Sequence, residues 1–95
     1  MTKEVDSKLH FLLQHKRSLS CSDLKRILED LGFYVRDGKR GGHKVFTHSK
    51  LKGFESGSFN CEHGKNPTIK PVYVQRIIRL IEANKEELNA LMRGL

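Results

Sequence analysis

Apolar residues recur at helical spacing in three stretches of the chain. Val5, Leu9, Leu12 and Leu13 form a stripe that predicts a first helix over residues 4–16. The polar run "HKRSLS" breaks it. Leu24, Ile27, Leu28 and Leu31 then fall at i, i+3, i+4 and i+7, which predicts an amphipathic helix over 21–31. Ser20, with Asp23 three residues on, resembles a capping box with a shortened acid. Gly32 follows the last apolar position and can take the left-handed conformation that ends a helix. Near the C-terminus, Pro71 suits a first helical turn, and Val74, Ile77, Ile78 and Ile81 repeat the i, i+3, i+4, i+7 stripe. Leu88, Leu91 and Met92 extend that helix or form a short final one, with a break around Asn84.

The period changes between these helices. "FYVR" at 33–36 is β-branched and aromatic, and "DGKRGG" at 37–42 is turn chemistry throughout. "HKVFTH" at 43–48 alternates, with His43, Val45 and Thr47 on one face and Lys44, Phe46 and His48 on the other. A long polar turn follows, then "SFNC" at 58–61 as a third short strand and "EHGKNPTIK" as a loop. The order helix, helix, three strands, helix and final helical segment predicts an α+β layer, three antiparallel strands with helices on one face. Residues 1–95 read as a single domain without repeats or an internal linker.

Length limits what such a domain can do. Ninety-five residues bury about 60–65% of the unfolded surface, which favours an exposed groove over a deep pocket. No run of 18 apolar residues is present, so no membrane span is expected. The first ten residues have no apolar core or small-residue cleavage site, so they do not read as a secretory signal, and the expected location is the cytoplasm. Cys21 and Cys61 lie 40 residues apart, and in a reducing cytosol they are expected as free thiols.

Charge sharpens the picture. The net charge is +7, and residues 36–79 hold ten Lys or Arg against three acids, which accounts for the whole excess. A basic segment of this kind suits a polyanion such as RNA or DNA. Within it, Gly41 and Gly42 lack β-carbons, so the backbone can take positive φ and approach a phosphate closely. Successive N–H groups in such a turn can form an anion-binding concavity, with Lys39, Arg40 and Lys44 supplying charge. By local rules alone, however, the stretch is a glycine turn leading into a strand that begins with a histidine. His48 points to the strand face opposite His43 and reads as surface or core edge. His10 and His15 read as solvated. Cysteine and histidine spacings do not match a zinc site, and the glycines do not match a phosphate-binding loop of the Walker type. No metal or other cofactor is expected.

Taken in order, "SDLKRILEDLGFYV", the glycine turn, "GGHKVFTH", an "HG" loop and "IKPVYVQRIIRLI" resemble the HicA-type (YcfA-like) toxins of bacterial toxin–antitoxin pairs. The resemblance covers residues 20 to about 82. It leaves the first helix and the helical end at about 83–95 outside. The family motif Gly-Ser-His entering the second strand is matched by Gly41-Gly42-His43, and a later Pro-x-His by Cys61-Glu62-His63. Gly42 stands where the family has Ser, and Cys61 where it has Pro.

This resemblance implies a double-stranded-RNA-binding-domain-like α-β-β-β-α fold, here with an additional N-terminal helix. It implies an mRNA interferase of a type II toxin–antitoxin system, with His43 as the catalytic residue and a HicB-like antitoxin as partner. RNA carries its own nucleophile, the 2′-hydroxyl. Cleavage without metal then needs a base, an acid and positive charge around the phosphate. Histidine, with an ordinary pKa of about 6.5, can serve as either. A positioned acid–base group contributes roughly 10²–10⁴-fold, so slow turnover is expected. His63 is open to three readings: a second proton-transfer group, a phosphate contact or an exposed loop histidine. The alternative to a nuclease is a non-catalytic RNA-binding domain of the same fold, which Gly42 in place of Ser makes credible. A third reading, compatible with the first, is a protein-interaction domain whose basic patch binds an acidic antitoxin. The N-terminal helix could pack on the domain, mediate self-association or add a partner surface.

Overall fold

The computed structural model describes residues 4–65 and 67–94. Its elements are α1 (Glu4–Gln14), α2 (Cys21–Asp30), β1 (Tyr34–Asp37), β2 (His43–Thr47), β3 (Gly57–Asn60), α3 (Pro71–Ala83) and α4 (Lys85–Met92). This is the expected α+β class: the α-β-β-β-α layout with an added N-terminal helix and a separate C-terminal one.

Local chemistry sets the limits of α2. Ser20 Oγ accepts from the Asp23 N–H at 3.1 Å, so half of the expected capping box forms. The Asp23 carboxylate turns instead to Arg26, 3.0 Å away. At the other end Gly32 has φ 93°, the Gly32 N–H donates to the Glu29 carbonyl, and the Phe33 N–H donates to the Leu28 carbonyl. That paired pattern is the Schellman stop. In α3, Pro71 stands in the first turn, and Val74, Ile77, Ile78 and Ile81 are all buried. Asn84 ends α3 and begins α4, and its side-chain amide donates to the Leu80 carbonyl at 2.8 Å.

The sheet is an antiparallel meander in the order β1-β2-β3. Register pairs Val35 with Phe46 and Phe46 with Gly57, then Asp37 with Lys44 and Lys44 with Phe59. Val35, Phe46 and Phe59 are buried on this covered face. Phe33, Phe46 and Phe54 pack there with ring centroids 5.6–5.8 Å apart. His48 lies on the same side: its ring meets Phe33 edge-on at 4.9 Å, its Nδ1 accepts from the Lys50 N–H, and its Nε2 donates to the Leu31 carbonyl at 3.3 Å. The opposite face pairs Arg36 with Val45, Val45 with Ser58, and His43 with Asn60.

Of the three roles open to α1, the structure shows packing on the domain. Val5, Leu9 and Leu12 are buried, Asp6 pairs with Lys85 of α4 at 2.6 Å, and Lys8 pairs with Asp30 of α2 at 3.0 Å. Leu13 was expected in the buried stripe and is 49% exposed. It sits about 100° around the helix from Leu12, off the packed side.

The expectation of free thiols is corrected. Cys21 and Cys61 form a disulfide with their α-carbons 5.6 Å apart. The segment after His63 brings them together. It was expected as a loop, yet it forms isolated bridges from Thr68 to Ser20 and from Ile69 to Cys61. The Cys21 N–H donates to the Pro67 carbonyl, the Ile69 N–H to the Leu19 carbonyl, and the Glu62 N–H to the Thr68 carbonyl. This extended piece therefore stitches the start of α2 to the end of β3.

Candidate active site

Residues 38–42 connect β1 to β2, and two backbone bonds close the turn. The Gly38 N–H donates to the His43 carbonyl at 2.8 Å, and the His43 N–H donates to the Arg40 carbonyl at 3.1 Å. Of the two glycines singled out in the sequence, Gly42 has the positive φ, 82°, and Gly41 does not. Gly42 also lies against β3, where a β-carbon at 42 would come within 2.7 Å of the Cys61 carbonyl oxygen.

The turn delivers His43 to the open sheet face. There His43 shares a recess of about 600 Å³ with Arg36, Lys39, Arg40 and Gly41. This is a surface depression, as expected for a small domain. The imidazole is held from one side: Nδ1 lies 2.8 Å from Oδ1 of Asn60, its register partner on β3. Asn60 is held in turn, because its Nδ2 donates to the Tyr73 hydroxyl at 2.8 Å. Tyr73 comes from the first turn of α3, with the Arg76 guanidinium 5.6 Å from its ring centroid. Among the described residues, Nε2 of His43 has no hydrogen-bond partner.

A second recess, of about 240 Å³, adjoins the first through Gly41 and Asn60. Its walls include His63, Lys70 and Tyr73. The structure thus places Lys39, Arg40, Gly41 and His43 around one recess, and His63 in the next. It does not bring Lys44 to either. Alternation along β2 turns Lys44 to the face opposite His43, where its ammonium pairs with the Asp37 carboxylate. That hydrogen bond and charge hold Asp37 below the ordinary carboxylate range. Among the described residues, no group of three or more His, Cys, Asp or Glu side chains is placed to share a metal ion.

Sequence reading missed Arg36, Asn60, Lys70 and Tyr73. Arg36 could have been found, since it stands at an alternating position in the basic segment. Asn60 and Tyr73 carried no local signal: they meet His43 only through strand register and the docking of α3.

The family model for the HicA toxin of bacterial toxin–antitoxin systems matches residues 21–83, about two thirds of the chain. The chain belongs to the HicA toxin family. It is therefore a toxin of a toxin–antitoxin system, and an antitoxin is its implied partner. No curated protein and no solved structure matches it significantly. The matched span begins at α2 and ends at the last residue of α3, so it contains every residue of both recesses, while α1 and α4 lie outside the HicA match.

Within this HicA chain, Gly42 and Cys61 touch each other. The Cys61 N–H donates to the Gly42 carbonyl at 2.7 Å. A proline at 61 has no N–H to give, and a side chain at 42 would press on the Cys61 carbonyl. Glycine at 42 and a residue with a free N–H at 61 therefore together fix how the turn meets the end of β3.

Proposed function

We propose that this HicA-family toxin is a metal-independent RNA endonuclease acting on mRNA in the cytoplasm, with His43 as the acid–base residue and a HicB-like antitoxin as its inhibitor. The observation that carries the reading is the setting of His43. An imidazole anchored at one nitrogen and, among the described residues, unpartnered at the other stands in an open recess with Arg36, Lys39 and Arg40. A phosphodiester held by the three cations would bring the 2′-hydroxyl of the adjoining ribose to the imidazole. The imidazole takes that proton, and the 2′-oxygen attacks phosphorus as the bond to the 5′-oxygen breaks. The 5′-oxygen departs with a proton returned by the imidazolium or given by His63, which leaves a 2′,3′-cyclic phosphate. The cations stabilise the charge that develops on the phosphoryl oxygens. His63 and Lys70 in the adjoining recess would contact the next phosphate or supply a second proton. The shallow surface suits single-stranded RNA, and an antitoxin covering the same face would inhibit by exclusion.

The test is RNA cleavage in the presence of a chelator, together with growth arrest, for wild type against His43→Ala. Loss of both supports the reading; an alanine variant of equal activity overturns it. Gly42, where the family has a serine hydroxyl, favours one other outcome, an RNA-binding domain without catalysis. That protein would bind RNA with steep salt dependence and leave it intact.

A further inference from the structure

We propose that Asn60 and Tyr73 are positioning residues that hold His43 in one tautomer, with the ring proton on Nδ1 and Nε2 left to exchange protons with RNA. The inference rests on the nuclease reading above and names the reacting atom within it.

An asparagine amide has an accepting end and a donating end, and they cannot both face the imidazole. Here Oδ1 faces His43 Nδ1 while Nδ2 donates to the Tyr73 hydroxyl. A hydroxyl can pair with either end of an amide, so Tyr73 holds the side chain in place, and the imidazolium, which can only donate, selects Oδ1 as the end that faces it. Oδ1 can only accept, so Nδ1 must carry a proton. The same orientation serves both protonation states. The neutral ring donates from Nδ1 to Oδ1, and so does the imidazolium. His43 can therefore gain and lose its Nε2 proton while the amide stays still. A flipped amide would set its own N–H against the imidazolium N–H and would have to rotate at every transfer. The arrangement is preorganised for cycling at Nε2. Arg36, Lys39 and Arg40 share the recess with the ring and are constant across the variants below.

The test uses the full-length protein labelled with nitrogen-15. Long-range proton–nitrogen spectra report which imidazole nitrogen of His43 is protonated, without RNA. Wild type is expected to show the Nδ1–H tautomer. Asn60→Ala and Tyr73→Phe should show mixed tautomers and slower RNA cleavage, by about tenfold for Tyr73→Phe and by more for Asn60→Ala. A wrong tautomer in a serine-protease triad costs about 10⁴-fold, which sets the upper bound. Asn60→Asp keeps an acceptor, so it should keep the Nδ1 proton. Its negative charge favours the imidazolium and should move the acid limb of the pH–rate profile about one pH unit higher. A wild-type ring protonated at Nε2 when neutral, or a tautomer unchanged in both Asn60→Ala and Tyr73→Phe, overturns the proposal. A wild type that keeps the Nδ1 proton but leaves RNA intact upholds the positioning pair and overturns only the nuclease reading.

Discussion

Gly38 is the floor beneath His43. A β-carbon at 38 would lie 2.2 Å from Cδ2 of the imidazole and 3.0 Å from Cγ, and the Gly38 N–H donates to the His43 carbonyl. Gly38→Ala must therefore displace the ring while leaving the backbone bond in place. Displacing a catalytic group by about 1 Å can cost on the order of 10²-fold in rate. RNA cleavage is expected to fall by about that factor. The unfolding free energy should change by no more than about 1 kcal/mol, because the site lies at the surface. Unchanged cleavage would mean that ring placement does not control the rate.

The three lysine and arginine residues around the glycine turn are not equivalent. Lys39 and Arg40 border the His43 recess, whereas Lys44 is on the other strand face with Asp37. Lys39→Ala and Arg40→Ala should each weaken RNA binding and lower the slope of log affinity against log salt by about one. Lys44→Ala should leave both nearly unchanged. Titrations of labelled RNA at several salt concentrations distinguish the three, and an equal loss for Lys44→Ala would move the RNA to a different face.

The Asp37–Lys44 pair also predicts a pH dependence. Asp37 has its pKa lowered in the folded protein, chiefly by the hydrogen bond from Lys44 and then by its charge. A carboxylate depressed on folding stabilises the native state fully above its unfolded value, about 3.9, and that contribution fades as pH falls through the lower folded value. Asp37→Asn should therefore unfold at lower denaturant than wild type at pH 7. The gap should close at more acidic pH, and 1 M salt should shrink it because the pair is exposed. A gap that persists at the lowest pH would point to a cause other than charge.

What could be read in advance depended on whether a contact is local. The stripes of α2 and α3, the Ser20 cap and the Gly32 stop involve residues within a few positions of one another, so spacing alone revealed them. The glycine turn and its exit histidine were equally local. Asn60 was not, because its meeting with His43 depends on β2–β3 register across 17 residues of sequence, and Tyr73 depends on where α3 docks. The bridge from Cys21 to Cys61 is more distant still. Its geometry is set by the extended segment around Thr68 and Ile69, whose polar, proline-bearing sequence reads as a loop.

That bridge leads to the last prediction. It closes a loop across 40 residues of sequence, and in the chain-entropy account a loop of this size stabilises the fold by about 4 kcal/mol. The backbone bonds from Cys21 to Pro67 and from Glu62 to Thr68 do not depend on sulfur and should survive reduction. Reduced protein should therefore keep its fold in the absence of denaturant but unfold at a markedly lower urea concentration. The double variant Cys21→Ala with Cys61→Ala should unfold near the reduced wild type and should not respond to reductant. The effect has a route to the site, since Cys61 follows Asn60 and its N–H holds the Gly42 carbonyl. In a reducing cytosol, where disulfides rarely persist, the less stable form would predominate and the end of β3 would open more readily. Urea unfolding with and without reductant checks the first part, and hydrogen exchange at the Cys61 amide checks the second. Identical unfolding curves for all forms would show that the bridge adds nothing beyond the backbone stitching around it.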